Sequence, residues 1–354
     1  MNHVYRIVWN NAVRAWVAVA ETARGRGKGG QRKRARAARR PTLIQLMAAA
    51  NAVGAALLSG QANAQTAVAA PGQQTGVYVS PNGVTVVNIA NPNAAGLSHN
   101  RYQQFNVGPQ GLVLNNTTPS QISYSSQLAG QVMANYNMAN QARVILNEVV
   151  ANNRSQLAGF TEVLGRRADV VLANPYGITC SGCGFINTDR VTLGTGTPFL
   201  RADGSLGGLN VSQGDILVNG GGLNASAQQL LELVTRSVKL EANVNAPEIA
   251  ITTGTNQWDY GTRAITGSVG ATGSAPVYAI DSSALGGMYA NRIQLTSTEA
   301  GVGVRMLGEA AASAEDFTLT AAGRVELRNR ISAQRDVRVA SSSNEAAAIA
   351  LVDA

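Results

Sequence analysis

The chain has 354 residues, of which 45% are hydrophobic, 5% aromatic and 14% charged, and it contains 38 glycines. This length and hydrophobic content are sufficient for one long domain or two ordinary ones with a real core, which excludes a disordered tail. Few aromatic and charged residues beside many glycines indicate many turns joining small regular packing units, which is not typical of helical globular enzymes.

The formal net charge of +8 is concentrated in the first 64 residues, which contain eleven Lys and Arg residues against the single acid Glu21. The remainder has 17 basic and 19 acidic residues, a balance of about −2. A basic run such as "KGGQRKRARAARR" can bind nucleic acid or direct nuclear import. Here an apolar stretch follows it directly, so we expect no nucleic-acid partner.

That apolar stretch, "LIQLMAAANAVGAALLSG" at 43–60, precedes "QANAQT" with small residues at Ala62 and Ala64. A basic region, an apolar region and an A-x-A site predict a helical secretory signal peptide, cleaved between Ala64 and Gln65. A transmembrane anchor is the alternative, but the stretch is alanine-rich and at the short limit of a span. The signal peptide directs the chain to the Sec translocon.

The leader, 1–64, is longer than the usual signal peptide, and its first part contains Trp9 and Trp16. It resembles the extended signal-peptide region of large exoproteins of Gram-negative bacteria, above all those exported by two-partner secretion. A mitochondrial presequence is the rival, since that class is also rich in arginine and poor in acids. The strong apolar region followed by an A-N-A site argues against it.

The region after the leader consists of short runs that alternate apolar and polar residues and end at Gly, Asn or Pro. Examples are "VYVSPNGVTVVNIA", "ARVILNEVV", "ADVVLANPYG", "GDILVNG", "SVKLEANVNA" and "EIAITTG". Such runs predict β-strands. The segment "SAQQLLELVTRS" has some helical spacing, and a strand is equally compatible with it. The chain is therefore predicted to be all-β beyond the leader.

Strands recur at a coarse interval toward the C-terminus, beginning at Ile293, Phe317 and Val337, at steps of 24 and 20 residues. This period matches the rungs of a β-solenoid, in which each rung buries its inward side chains by stacking on its neighbours. An antiparallel sandwich is the alternative, but it does not need the repeat. Asparagines suit solenoid corners because they can pair with otherwise unsatisfied backbone groups, so "NNT" from Asn115 and "NAS" from Asn224 are interpreted as corner residues rather than glycan acceptors.

Three long segments carry a family resemblance, and they occur in one colinear order over about residues 1–305. They are "NPNAAGLSHNRYQQFNVGPQGLVLNN" at 91–116, "ARVILNEVVANNRSQLAGFTEVLGRRADVVLANPYGITCSGCGFINTDRVTLGTG" at 142–196, and "LGGMYANRIQLTSTEAGVGV" at 285–304. They resemble the N-terminal secretion domain of filamentous-haemagglutinin-like exoproteins, a group of adhesins, haemolysins and contact-dependent inhibition toxins. The resemblance implies a right-handed parallel β-helix with an N-terminal cap and small antiparallel extra-helical strands.

Two short motifs of that family can be placed on this chain. The N-P-N-L motif falls on Asn135, Tyr136, Asn137 and Met138, which keep both asparagines. The N-P-N-G-I motif falls on Asn174, Pro175, Tyr176, Gly177 and Ile178, where Tyr176 replaces the second asparagine. In the family these motifs are tied to turn structure and secretion competence, so they are candidate turn and transporter-recognition residues.

The only two cysteines, Cys180 and Cys183, are spaced C-x-x-C. Zinc requires four ligands, and the chain after the leader offers only His99 in addition, so no metal or other cofactor is expected. A redox motif requires a following helix, for which there is no pattern. In an oxidising compartment we expect a disulfide between these cysteines that staples the turn after the second motif.

No catalytic pattern is present, since neither a nucleophile elbow nor a P-loop occurs and the carboxylates are scattered. His99 next to Ser98 could suggest a base, but neighbouring side chains on a strand point to opposite faces. We interpret "GLSHN" as a turn and cap segment and expect no enzyme.

The predicted organisation is an extended signal peptide at 1–64, a two-partner secretion domain at 65–305, and the start of further β-helix repeats at 306–354. The predicted function is to direct secretion of a large exoprotein, recognised by an outer-membrane β-barrel transporter with periplasmic domains, to the surface of a Gram-negative bacterium or the medium. The alternatives are a self-contained β-helical surface adhesin that contacts host or neighbouring cells, and a truncated, non-functional relic.

Overall fold

The structure is a computed structural model that describes residues 5–10, 15–20 and 66–352. Two units are distinguished, Met1–Ala62 and Asn63–Ala354. In the first, β1 (Tyr5–Asn10) pairs antiparallel with β2 (Ala15–Ala20). These segments are strands where a helical leader was predicted, and their β-branched and aromatic residues favour the extended conformation. The apolar stretch 43–60 and the cleavage site at Ala64 and Gln65 lie outside the described residues.

The second unit is a parallel β-helix, in which the chain visits three sheets, A, B and C, in turn. Sheet A contains β3 (Ala67–Ala69), β6 (Leu97–Phe105), β10 (Val144–Val149), β13 (Asp169–Ala173), β16 (Arg190–Gly194), β21 (Leu230–Thr235), β24 (Glu248–Thr253), β29 (Arg292–Ser297), β32 (Phe317–Ala321) and β35 (Val337–Ser341). Sheet B contains β11 (Ser155–Leu157), β14 (Ile178–Cys180), β19 (Asp215–Val218), β22 (Ser237–Leu240), β27 (Tyr278–Ser282), β30 (Gly303–Met306), β33 (Val325–Leu327) and β36 (Ile349–Leu351).

Sheet C contains β4 (Gly76–Val79), β5 (Thr85–Asn88), β7 (Leu112–Asn116), β12 (Phe160–Gly165), β15 (Cys183–Ile186), β20 (Leu223–Asn224), β23 (Val244–Asn245), β28 (Met288–Ala290), β31 (Ala310–Ala312) and β34 (Ile331–Ala333). Pairing is parallel except at the N-terminal end, where β3 runs antiparallel to β6 and β4 runs antiparallel to β5. These two strands cap the first rung, as the family resemblance implied.

Antiparallel strands outside the helix form two further sheets. The four-stranded sheet, in the order β17-β18-β25-β26, contains β17 (Thr197–Leu200), β18 (Leu206–Asn210), β25 (Asn256–Asp259) and β26 (Ile265–Ser268). The cap hairpin consists of β8 (Ser123–Ser126) and β9 (Gly130–Met133). Both are inserted at corners of the helix, so they lengthen individual rungs without disturbing the pairing of the sheets.

The predicted repeat near the C-terminus is confirmed in register, because Ile293 pairs with Phe317 and Phe317 pairs with Val337. The segment "SAQQLLELVTRS" forms β21 rather than a helix. The segment "GLSHN" was predicted wrongly as a turn and cap, since residues 97–105 form β6 of sheet A. Propensity alone missed this strand because its burial comes from stacking against β10, whose paired residues lie 47 positions later in the chain.

One apolar core runs the length of the helix and contains inward side chains such as Ile145, Leu193, Ile251 and Leu319. Two smaller cores lie outside it, one between sheet A and the four-stranded sheet and one beneath the cap hairpin. Strands covered on both sides are buried almost continuously, as in β7, whereas β24 and β29 alternate buried and half-buried residues. The alternation marks the part of sheet A whose outer face is open.

Candidate functional site

The first motif forms a turn centred on the buried side chain of Asn135. Its Nδ2 donates to the carbonyl oxygens of Ile89 (2.9 Å) and Asn115 (3.0 Å), and its Oδ1 accepts from the backbone N of Asn137 (3.1 Å). The backbone N of Met138 donates to the Asn135 carbonyl at 3.1 Å. One asparagine therefore shapes its own turn and ties it to two neighbouring strands.

The second motif repeats this arrangement around Asn174, which is also fully buried. Its Nδ2 donates to the Asn153 carbonyl and to Ser155 Oγ, both at 2.9 Å, and its Oδ1 accepts from the backbone N of Tyr176 at 3.0 Å. Gly177 completes the turn with a φ of +103°, a conformation that L side chains rarely adopt. The two motifs therefore form the same type of turn, centred on a buried asparagine.

The structure does not bring the two motifs together. Asn135 lies between the cap hairpin and β10, at a corner from sheet C to sheet A, whereas Asn174 lies between β13 and β14, at a corner from sheet A to sheet B. The hydrogen bonds of each asparagine go to its own neighbouring rungs. Each motif therefore builds a separate corner rather than one half of a shared site.

The residues that depart from the family motifs differ in exposure. Tyr136, in place of proline, exposes 66% of its surface, and Met138, in place of leucine, is buried in the main core. Tyr176, in place of the second asparagine, is half-buried, and its backbone N still donates to Asn174. Only the replacement at Tyr136 therefore presents a large new side chain to solvent.

Cys180 ends β14 and Cys183 begins β15, and the two are joined by a disulfide with their Cα atoms 5.4 Å apart. Both cysteines are buried in the main core. The corner between them is tightly packed, because a side chain at Gly221 would meet the backbone of Gly182 on the adjacent rung. The bridge therefore spans one corner from sheet B to sheet C.

Ser98 and His99 do not act on one another. Ser98 is buried and donates to the Ala90 carbonyl at 2.7 Å. His99 lies on the other face of the strand, with its Nε2 2.8 Å from Glu148 Oε2, and Arg101 Nε is 3.4 Å from the same oxygen. In the part of the chain that the structure describes, no three His, Cys, Asp or Glu residues lie close enough to hold a metal ion.

A buried charge cluster, which the sequence interpretation did not find, lies beside the four-stranded sheet. Glu232 is 2% exposed and accepts from Arg190 Nε (2.8 Å), Thr192 Oγ1 (2.7 Å) and Arg263 Nε (3.1 Å). The Arg190 guanidinium also stacks 3.8 Å from the ring centroid of Tyr260. Glu232 is in register with Thr192 rather than with Arg190, and Arg263 lies in the turn between β25 and β26, so no local pattern in the sequence indicates the cluster.

Asp169 lies next to this cluster, and burial raises its pKa above the ordinary aspartate value. Two contacts counter the effect, a hydrogen bond from the Tyr260 hydroxyl at 2.7 Å and the positive charge of Arg190. Burial also raises the pKa of Tyr260 itself. The tyrosine therefore remains a neutral donor to Asp169 at ordinary pH.

The charge cluster forms one end of a groove on the outer face of sheet A, about 440 Å³ in volume. Its floor is formed by side chains of β21, β24, β29 and β32, and Trp258, Thr262 and Arg263 form one wall. We call this the sheet A groove.

No helix among the described residues is long and apolar enough to cross a membrane.

Comparison with known proteins identifies both parts of the chain. Residues 60–327 match the family described as "TPS secretion domain", and residues 1–63 match the "Extended Signal Peptide of Type V secretion system". The first match covers most of the β-helix and ends beyond residue 305, where the secretion domain was predicted to end.

Similar proteins include the tRNA nuclease CdiA of Escherichia coli strain STEC_O31, which is 45% identical over 267 residues, 75% of this chain and 8% of the relative. Toxin CdiA of Yersinia pestis is 42% identical over 95% of this chain and 10% of its own length. The tRNA nuclease CdiA-2 of Burkholderia pseudomallei strain 1026b is 41% identical over 93% of this chain and 11% of its own length. The chain spans about a tenth of the length of these relatives.

The crystal structure of the filamentous hemagglutinin secretion domain has the same fold, with a TM-score of 0.65 and 34% sequence identity. The match covers 82% of this chain and all of that domain. A secretion domain behind an extended signal peptide directs export to the surface of Gram-negative bacteria and is recognised by an outer-membrane transporter. On these grounds the chain belongs to the TPS secretion domain family, as the secretion-directing module of a two-partner exoprotein of the CdiA and filamentous haemagglutinin type.

Proposed function

We propose that residues 65–305 carry the secretion signal that an outer-membrane β-barrel transporter reads with its periplasmic domains. Export through the Sec translocon and cleavage between Ala64 and Gln65 precede this step, and residues 306–354 begin the further repeats. The match of residues 60–327 to the TPS secretion domain carries the proposal. We assign no catalytic activity to this region.

The two asparagine turns indicate that different residues of the motifs have different roles, some in building the turn and one in contacting the transporter. Asn135 and Asn174 are buried and fully used in hydrogen bonds, so we assign them to building corners. Tyr136 is the motif residue with the largest free surface, and we assign it to direct contact with the transporter. The departure from the family pattern thus lies where it can alter partner choice without changing the fold.

Folding of the β-helix outside the cell can make export through the transporter proceed in one direction. A single rung has too few local contacts to be stable, because its inward side chains are buried only by neighbouring rungs. The chain can therefore remain extended in the periplasm. Outside the cell, stacking buries side chains such as Ile293 on Phe317 and Leu295 on Leu319, and the free energy released opposes return through the transporter.

We also propose a structural role for the disulfide between Cys180 and Cys183, as a clip on a corner of the core. The names of the relatives support assigning the whole exoprotein to the contact-dependent inhibition class. The nuclease activity named for those proteins would then lie outside the portion that resembles this chain.

The direct test is secretion by cells that express the exoprotein with its transporter. Deletion of residues 80–180 should abolish export to the medium, and undiminished secretion would contradict the proposal. Tyr136→Ser should reduce export while leaving the fold unchanged, because the side chain is exposed. Tyr78→Ser, at an exposed tyrosine of β4 outside both motifs, is the matched control and should be exported normally.

The second candidate function is a surface adhesin whose β-helix face contacts host or neighbouring cells. The sheet A groove is the observation that favours it, because this polar groove of about 440 Å³ is lined by no residue of the two motifs.

A further inference from the structure

The disulfide between Cys180 and Cys183 is sealed between rungs of the β-helix. Cys180 pairs with Leu157 of β11 on one side and with Val218 of β19 on the other. Cys183 pairs with Leu223 of β20. Cys180 is 0% exposed and Cys183 is 2% exposed. A disulfide forms by direct attack of a thiolate on a sulfur of the oxidant, so oxidation by another protein has to precede the stacking of these rungs.

The backbone of this corner is closed by the same neighbouring rungs. Ser181 N donates to the Leu157 carbonyl at 2.8 Å. Gly182 N donates to the Gly222 carbonyl at 2.8 Å. A Cβ at Gly221 would lie 2.9 Å from Gly182 Cα, so these rungs touch through their backbones. In the folded chain, the active site of another protein therefore cannot reach the sulfurs from either side of the corner.

The pairing of the two cysteines does not require the fold. They are the only cysteines of the chain, and only two residues separate them. Bringing together the ends of so short a segment costs less conformational entropy than closing a loop between distant residues. The two thiols therefore meet in an unfolded chain. The bacterial periplasm keeps protein thiols oxidised through a protein disulfide oxidant, so the chain meets such an oxidant before it reaches the transporter.

The bridge keeps the extended chain narrow. The bridged Cα atoms lie 5.4 Å apart. Three residue steps of a fully extended chain span about 10 Å, so the bridge shortens the chain by only about 5 Å. The intervening residues, Ser181 and Gly182, have the small side chains that a narrow loop requires, and Gly182 turns with a φ of +87°. A disulfide between distant residues would instead close a large loop, which has to cross a transporter as two chain segments side by side.

We propose that a protein disulfide oxidant of the periplasm joins Cys180 to Cys183 before export, and that the bridged corner then crosses the transporter within a single extended chain. One thiolate attacks the disulfide of the oxidant to form a mixed disulfide, and the second thiolate displaces the oxidant from it. Two electrons and two protons pass to the oxidant, which leaves as a dithiol. This order of events rests on the proposed function, in which the chain is exported extended. The corner from β14 to β15 then emerges already formed, ahead of the rungs that stack on it.

The order of oxidation and export is tested in cells that express the exoprotein with its transporter. The chain is pulse-labelled and collected from the periplasm and the medium at successive times. Its thiols are alkylated in denaturant with a maleimide that carries a polyethylene glycol chain, which slows the protein on a gel. The periplasmic chain should show no free thiol before reduction and two after reduction. Two free thiols in the periplasmic chain would overturn the proposal, whatever the state of the secreted chain.

The passage of the corner within a single extended chain is tested by moving one cysteine. The double variant Cys183→Ser with Val218→Cys can join Cys180 to its register partner at position 218, which closes a much larger loop. Its export should be lost under oxidising conditions and should recover when dithiothreitol is added during synthesis, since reduction opens the loop. Cys183→Ser alone, which cannot close a loop, is the matched control and should be exported like the wild type.

Normal export of the long-loop variant with its disulfide intact would overturn the proposed passage within a single chain. The wild type should be exported equally with and without dithiothreitol, because its closed loop contains only two residues between the cysteines. Loss of export by every chain, reduced or oxidised, would contradict the proposed function itself and, with it, this order of events. The comparison of reduced with oxidised chains therefore separates the failure of the two proposals.

Discussion

Replacing Asn135 by alanine tests whether one buried side chain holds the corner of the first motif. The substitution removes three hydrogen bonds, two from Nδ2 to the carbonyls of Ile89 and Asn115 and one to Oδ1 from the backbone N of Asn137. Both carbonyls belong to fully buried residues, so water cannot replace the lost donors easily. At a net value of about 0.5–1.5 kcal/mol for each bond, the expected loss of stability is about 2–4 kcal/mol.

Asn137→Ala is the matched control within the same motif. Its side chain makes one exposed hydrogen bond, from Nδ2 to the Gln74 carbonyl at 2.9 Å. Removing it should cost less than about 1 kcal/mol, since water can satisfy that carbonyl. The pair therefore separates the buried, corner-building asparagine from the exposed one, although the family motif contains both.

The assay is urea unfolding of the secreted chain, followed by the fluorescence of Trp258 and by far-UV circular dichroism. Thermal unfolding should show a decrease of roughly 5–15 °C in the midpoint for Asn135→Ala. Equal midpoints for the two variants, or a wild-type midpoint for Asn135→Ala, would refute the assignment of this asparagine to the corner. A normal fold with lost secretion would instead place Asn135 in partner contact.

Two other predictions concern the disulfide and a buried carboxyl. The double substitution Cys180→Ser with Cys183→Ser should cost about 1–3 kcal/mol and leave secretion intact, because so short a loop constrains the unfolded chain weakly. The wild-type chain from the medium should titrate no thiols in denaturant and two after reduction, and two free thiols before reduction would contradict the clip. Burial raises the pKa of Asp169 in the folded chain. Proton binding by this carboxyl therefore adds to the free energy of unfolding below the ordinary pKa near 3.9, and this contribution is lost as the pH rises through the raised pKa. Asp169→Asn, whose side-chain oxygen can still accept a hydrogen bond from Tyr260, should be at least as stable as the wild type at pH 7. In urea unfolding measured from pH 4 to 8, its stability should not show the decline expected for the wild type. A large loss of stability in this variant at pH 7 would show that the attraction of Asp169 to Arg190 dominates.

Local pattern determined the strand content and the repeat. The recurrence at Ile293, Phe317 and Val337 agrees with the register of β29, β32 and β35, because successive rungs place corresponding residues side by side in sheet A. The long segments at 91–116, 142–196 and 285–304 were sufficient to identify the family, and with it the parallel β-helix and its cap. The class of fold was therefore accessible from residues close together in the chain.

Contacts between rungs were decided only by the tertiary structure. The pairing of Leu97–Phe105 with β10 made a strand of a segment whose residues favour a turn. The excursions that form the four-stranded sheet and the cap hairpin give some strands a second buried face, which alternation alone does not predict. Glu232, Arg263 and Arg292 meet at one end of the sheet A groove for the same reason: stacking places residues separated by whole rungs a few ångströms apart, and their contact depends on the length of every rung between them.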